Sequence, residues 1–205
     1  MMIPVLLLAL TALLPAGTAQ ASPLDGKALF AAKGCPACHG ADGRKGLAAT
    51  PHLAGQNAGY MIRQMNEIAD GTRNAPAARP MRPVIDKVNA DERKAIATWL
   101  AVQPPAGPAP PGDAARLEQG AILFDEQGCI GCHGEAGTRP LADYPVLAGQ
   151  RRDYLAAQIR AIRDEIRSTR RARLMVANVR TLRDDQVERI AEFLSQTKRI
   201  QGPVQ

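Results

Sequence analysis

The sequence is one unit written twice. Offsetting the chain by 94 residues aligns Gly26–Leu100 with Gly120–Leu194 without a gap, and 28 of the 75 pairs are identical. Phe30 meets Phe124, Gly34 meets Gly128, and Leu53-Ala54-Gly55-Gln56 meets Leu147-Ala148-Gly149-Gln150. Tyr60 falls on Tyr154, Gln64 on Gln158, Arg79 on Arg173 and Met81 on Met175. A tandem duplication of this kind predicts two similar domains in series. Between the copies, Gln103 to Gly112 is dense in proline, which cannot continue a helix or a central strand and favours extended geometry. The expected organisation is a leader at 1–21, a domain at 22–103, a semi-rigid connector at 104–112 and a second domain at 113–205.

Within each copy the hydrophobic period is helical. Leu24 to Ala32 and Ala115 to Glu126 carry apolar residues at helical spacing, and a glycine stops each just before a cysteine. Gly59 to Ile68 and Asp153 to Ile166 predict a second helix. Asp91 to Val102 and Asp184 to Leu194 predict a third, with acidic residues at its positive end. Gly40 to Gly55 reads as loop, and no run alternates as a strand would. The fold class is all-α.

All four cysteines lie in two C-x-x-C-H motifs, Cys35-Pro36-Ala37-Cys38-His39 and Cys129-Ile130-Gly131-Cys132-His133. That spacing places two thiols and an imidazole on one side of a helical turn. Both thiols can then form thioethers to one haem while the adjacent imidazole reaches its iron. Local disulfides or a thioredoxin-like pair need no histidine, and a zinc site built from both motifs would span far more than the usual 15–20 residues. The expected cofactors are therefore two covalently bound haem c groups. Aromatic residues make up only 3% of the chain, and two macrocycles would supply the missing apolar bulk.

The second axial ligand separates a carrier from a haem enzyme. Met81 and Met175 occupy equivalent places, each 42 residues after its motif histidine. Met61 and Met65 align with Leu155 and Ile159, so they read as apolar helix residues. His52 aligns with Val146 and reads as a loop histidine. Met81 and Met175 are thus the expected partners of His39 and His133. A thioether opposite an imidazole favours ferrous iron and raises the potential.

These features together resemble cytochrome c4, the di-haem tandem member of the class I cytochromes c. The matching residues are both haem motifs, the P-x-L-A-G-Q segments at Pro51 and Pro145, Tyr60 with Gln64, Tyr154 with Gln158, and R-x-M at Arg79 and Arg173. The resemblance implies two helical domains facing each other with the haem edges near the interface. It implies a periplasmic electron carrier, often between a cytochrome bc complex and a terminal oxidase, and not an enzyme. It also implies that the Pro51 and Pro145 carbonyls accept a hydrogen bond from the motif histidines. Propionates would be bonded by Tyr60 and Tyr154 or by Arg79 and Arg173.

The apolar run Ile3 to Leu14 is too short to span a bilayer and precedes Ala19-Gln20-Ala21, which reads as an export signal cleaved near Ala21. Net charge is +6 without aromatics interleaved among the basic residues, which argues against nucleic acid and for acidic protein surfaces or peripheral contact with an anionic membrane. Arg160, Arg163, Arg167, Arg170, Arg171 and Arg173 crowd the second copy. They read as a solvated face or a docking patch for an acidic redox partner. The rival functions are a cytochrome subunit of a dehydrogenase, such as a flavocytochrome sulfide dehydrogenase, and a haem enzyme with an open coordination position.

Overall fold

The computed structural model describes residues 24–44 and 46–200, and within them the chain is helix, turn and loop with no strand. The leader read at 1–21 lies outside the described residues. The first copy folds into α1 (Gly26–Ala32), α2 (Pro36–His39), α3 (Ala58–Ala69), α4 (Arg82–Ile85) and α5 (Ala90–Ala101). The second gives α6 (Ala114–Glu126), α7 (Ile130–His133), α8 (Arg152–Arg163), α9 (Arg170–Arg173), α10 (Val176–Val179) and α11 (Asp184–Gln196).

Short polar side chains start these helices. Asp25 accepts from the amides of Lys27 and Ala28, Asn57 from Tyr60 and Asp113 from Arg116. Asn89 and Glu92 close a reciprocal capping box at α5. In each domain the first helix packs on the last, and the helix after the motif loop packs on that same last helix.

The crossing of first and last helix explains one duplicated glycine. A Cβ on Gly26 would stand 2.2 Å from the carbonyl oxygen of Ala95, and one on Gly120 would stand 2.3 Å from that of Arg189. The helices approach so closely that only hydrogen fits between them. Beside each crossing lies an equivalent aromatic pair, Phe30 with Trp99 at 5.2 Å and Phe124 with Phe193 at 6.0 Å between centroids. The buried cores are Phe30, Met61, Val88, Ile96 and Leu100 in one domain and Phe124, Leu155, Val179, Val187 and Leu194 in the other.

The helix expected to run to Ile166 ends at Arg163. Glu165 takes a left-handed backbone (φ 55°), and the Arg167 amide turns back to the Ala161 carbonyl at 2.7 Å. This turn aims Arg167 inward.

The proline-rich segment carries no regular structure but is tied to the second domain, with Ala109 N–H donating to the Ser195 carbonyl and Gly112 N–H to Gln196 Oε1.

Candidate haem sites and the interface between them

Each motif forms one helical turn that opens on its first cysteine and closes on its histidine, after which Gly40 or Gly134 turns the chain with a left-handed backbone (φ 77° and 71°). The histidines are 5% and 4% exposed. His39 Nδ1 lies 3.4 Å from the Pro51 carbonyl oxygen, and His133 Nδ1 lies 3.2 Å from that of Pro145. A carbonyl can only accept, so Nδ1 carries the proton and Nε2 presents a lone pair. His133 Nε2 is buried and has no hydrogen-bond partner. Burial holds both histidines below their ordinary pKa, partly opposed by the proline carbonyls. Burial also raises the Cys35 thiol and pushes Cys129 up to about 11. All four cysteines are unpaired. Among the described residues no group of three or more His, Cys, Asp or Glu could hold a metal ion.

Met81 ends a 3₁₀ turn (Arg79–Met81) and packs, partly buried, against Ile68, Ala78 and Ile85. Met175 precedes α10 and packs against the second domain's core.

The two motif loops meet through a crossed arrangement. Gln56 donates from Nε2 to the Val146 carbonyl (2.9 Å) and accepts at Oε1 from the Val146 amide (2.8 Å). Gln150 does the same to His52, at 2.9 and 2.7 Å. Residues 52 and 146 are equivalent, as are 56 and 150, so the interface is self-complementary about a pseudo-twofold axis. Each clamped residue directly follows the proline whose carbonyl faces a motif histidine.

A second crossed pair extends this interface. Arg73 donates to Gln64 (2.8 Å) and across to Tyr154 (3.4 Å) and Gln158 (3.3 Å). Arg167 donates to Gln158 (2.7 Å) and across to Gln64 (2.8 Å) and Tyr60 (3.5 Å). Arg167 is 9% exposed, and the Nε of each arginine is buried without a partner. Two guanidiniums therefore converge, and no carboxylate among the described residues is bonded to either. Arg73 and Arg167 fall in register, and that identity was the available sequence signal.

The arginine run at 160–173 is accordingly not one open face. Arg160 bonds Asp184 and Glu188, Arg163 bonds Asp164 and Asp184, Arg167 is buried at the interface, and Arg171 bonds Asp143 and Tyr144. Arg79 and Arg173 are exposed, and Arg79 Nε donates to the Asn74 carbonyl.

A buried imidazole with one nitrogen tied and the other free, beside two unbonded thiols, is the donor set that covalent haem requires. The Cytochrome c family model matches residues 24–103 and again 117–198. Cytochrome c4 of Pseudomonas aeruginosa is 34% identical, over 65% of this chain and 68% of its own length. Reduced recombinant cytochrome c4 from Pseudomonas stutzeri superposes with a TM-score of 0.71 at 27% identity, covering 84% of this chain and 96% of that one. The chain belongs to the cytochrome c4 family. As such it carries two covalently bound haem c groups, one per domain, and serves electron transfer. This cytochrome c4 is also 35% identical to a thiosulfate dehydrogenase electron acceptor of Stutzerimonas stutzeri, over 86% of the chain and 88% of the relative. A thiosulfate dehydrogenase structure from Marichromatium purpuratum matches 84% of it with a TM-score of 0.70 at 28% identity, and the match spans 40% of that larger chain. No helix among the described residues is long and apolar enough to cross a membrane.

Proposed function

We propose that this cytochrome c4 is a periplasmic one-electron carrier, not an enzyme, that accepts electrons from a thiosulfate-oxidising dehydrogenase and delivers them to a terminal oxidase. The observation that carries the donor assignment is the 35% identity to a thiosulfate dehydrogenase electron acceptor over nearly the whole chain. Similarity to the dehydrogenase structure over 84% of this chain points the same way.

When bound, each haem supplies a ferric/ferrous couple inside a low-dielectric domain. Cys35 with Cys38 and Cys129 with Cys132 would hold the two groups as thioethers. His39 and Met81 would hold the iron of one group, and His133 and Met175 that of the other. Pro51 and Pro145 fix the imidazole tautomer and orientation through their carbonyls. Arg73 and Arg167, rather than the exposed Arg79 and Arg173, supply the unbalanced positive charge suited to propionates. With a histidine and a methionine of the chain holding each group, these side chains would keep its surroundings constant while the charge changes, which suits a carrier.

A second reading, transfer from a cytochrome bc complex to an oxidase, is favoured by the cytochrome c4 relatives. Rapid mixing distinguishes the two. Ferric protein should be reduced by thiosulfate with thiosulfate dehydrogenase much faster than by quinol with a bc complex; the reverse order would shift the assignment to the bc route. Cell fractionation tests the compartment. Replacing Met81 or Met175 by alanine should abolish the ferric Met-to-iron band of one haem and open it to cyanide. Retention of both bands would remove these methionines from the ligand set.

A further inference from the structure

The two histidine sites are not surrounded alike. In the second domain Tyr144 stands edge-on to His133, with ring centroids 6.0 Å apart and planes at 89°. Arg171 donates to the Tyr144 hydroxyl at 3.1 Å, and its guanidinium carbon lies 5.1 Å from the ring centroid. The other guanidinium nitrogen grips the Asp143 carboxylate at 3.1 and 3.3 Å. Asp143 is held a second time, by Arg63 of the first domain, through both its carboxylate and its carbonyl oxygen. A continuous chain thus runs from the first domain to the second domain's histidine: Arg63, Asp143, Arg171, Tyr144, His133.

None of these contacts is found around His39 among the described residues. The positions equivalent to Asp143, Tyr144 and Arg171 are Ala49, Thr50 and Ala77, and Arg63 aligns with Ala157. The Thr50 hydroxyl instead donates to the carbonyls of Leu47 and Cys38. The backbone is nevertheless the same, with Ala49 at φ 62° and Asp143 at φ 60°. Two copies of one loop carry different chemistry.

We propose that Tyr144 is a positioning residue for His133, and that the Arg63–Asp143–Arg171 assembly makes the second haem's potential depend on how the domains dock. The inference rests on His133 being an axial ligand. A ring edge against the imidazole, together with the Nδ1 bond to Pro145, fixes the rotation of the ligand plane, and such contacts tune the metal. The assembly sets two guanidiniums on the Asp143 carboxylate in a half-buried setting, with Glu67 3.9 Å from Arg63, where charge interactions are screened less than in water. Arg171, which bonds the ring beside His133, disfavours ferric iron and raises the potential, and Arg63 offsets the Asp143 carboxylate that would lower it. One cation comes from the other domain, so this environment is complete only in the docked molecule.

The test is a spectroelectrochemical titration of the full-length haem-loaded protein, with ferric EPR. Arg171→Ala and Arg63→Ala, each installing the residue of the other copy, should lower one of the two potentials and leave the other in place. Asp143→Asn should raise that same potential, because it removes the carboxylate that neutralises Arg171. Tyr144→Thr should change the EPR signature of one haem, and Tyr144→Phe, which keeps the ring, should stay close to wild type. A merely structural role would move every variant in one direction as water enters. Shifts of equal sign for Arg171→Ala and Asp143→Asn, or equal movement of both haems, would overturn the proposal while low-spin spectra left the ligand assignment standing. A second-domain haem lacking histidine-ligated low-spin features in the wild type would overturn both.

Discussion

His52 and Val146 offer the same backbone groups to the opposing glutamine, yet only one of them titrates. Burial, reinforced by Arg151 and Arg199, lowers His52 from 6.5 to about 4. Between those values the unfolded chain binds a proton that the folded chain refuses, so this residue's contribution is intact above pH 6.5 and is lost as pH falls through about 4. His52→Val, which copies the second domain and leaves the backbone bonds in place, should flatten the loss of thermal stability between pH 7 and pH 4 relative to wild type. Parallel curves for the two proteins would show that the acid sensitivity lies elsewhere. At this scale the motif cysteines and histidines were legible because covalent haem dictates their spacing. Gln56, Gln150, Tyr60 and Tyr154 were visible as repeated residues, but not their roles, because their hydrogen bonds run between copies rather than within one. Arg167 was concealed by the arginines around it. Asp143 and Tyr144 have no repeated counterpart and gave no signal.

Helix crossings tell the same story one level up. The periodicity located all six long helices, because apolar stripes must face a core. It overran at Ile166, which keeps helical spacing after Ile162 but is 53% exposed beyond the end of α8. It also passed over α4, α9 and α10, whose four residues are too few to establish a period. The repeated Gly26 and Gly120 were apparent as identities, and only the close helix approach supplies their reason. Gly120→Ala is the clean test, since helix propensity alone favours alanine by about 1 kcal/mol. With the Arg189 carbonyl oxygen 2.3 Å from the new methyl, α6 and α11 must separate, and overpacking of this kind costs roughly 1–3 kcal/mol. Denaturant titration should show a lower midpoint than wild type. A gain in stability would mean that the crossing relaxes without cost.

Across the whole molecule, four duplicated polar residues, Gln56, Tyr60, Gln64 and Arg73 with their counterparts, join the copies. The joint is also sealed by Arg199, 4% exposed, which donates to the Ala148 carbonyl of its own domain (2.8 Å) and the Ala54 carbonyl of the other (2.9 Å). No carboxylate among the described residues is bonded to it, and burial lowers it to about 10, so its free energy depends on both carbonyls staying in place. Such an interface is an intramolecular association whose strength includes the effective concentration set by the connector. Gln56→Ala strands the amide and carbonyl of buried Val146 and should cost about 2 kcal/mol; Gln150→Ala does the same to His52. Once either clamp is lost and the domains part, water satisfies the groups that the second clamp served. The double variant should therefore lose clearly less than the sum of the single losses, a coupling that a double-mutant cycle reads directly. Trp99, the only tryptophan, reports on the first domain, whereas circular dichroism reports on both. The two transitions should coincide in wild type and separate in the double variant. Strict additivity with coincident transitions would show that each glutamine stabilises its own loop and that the domains are held together elsewhere.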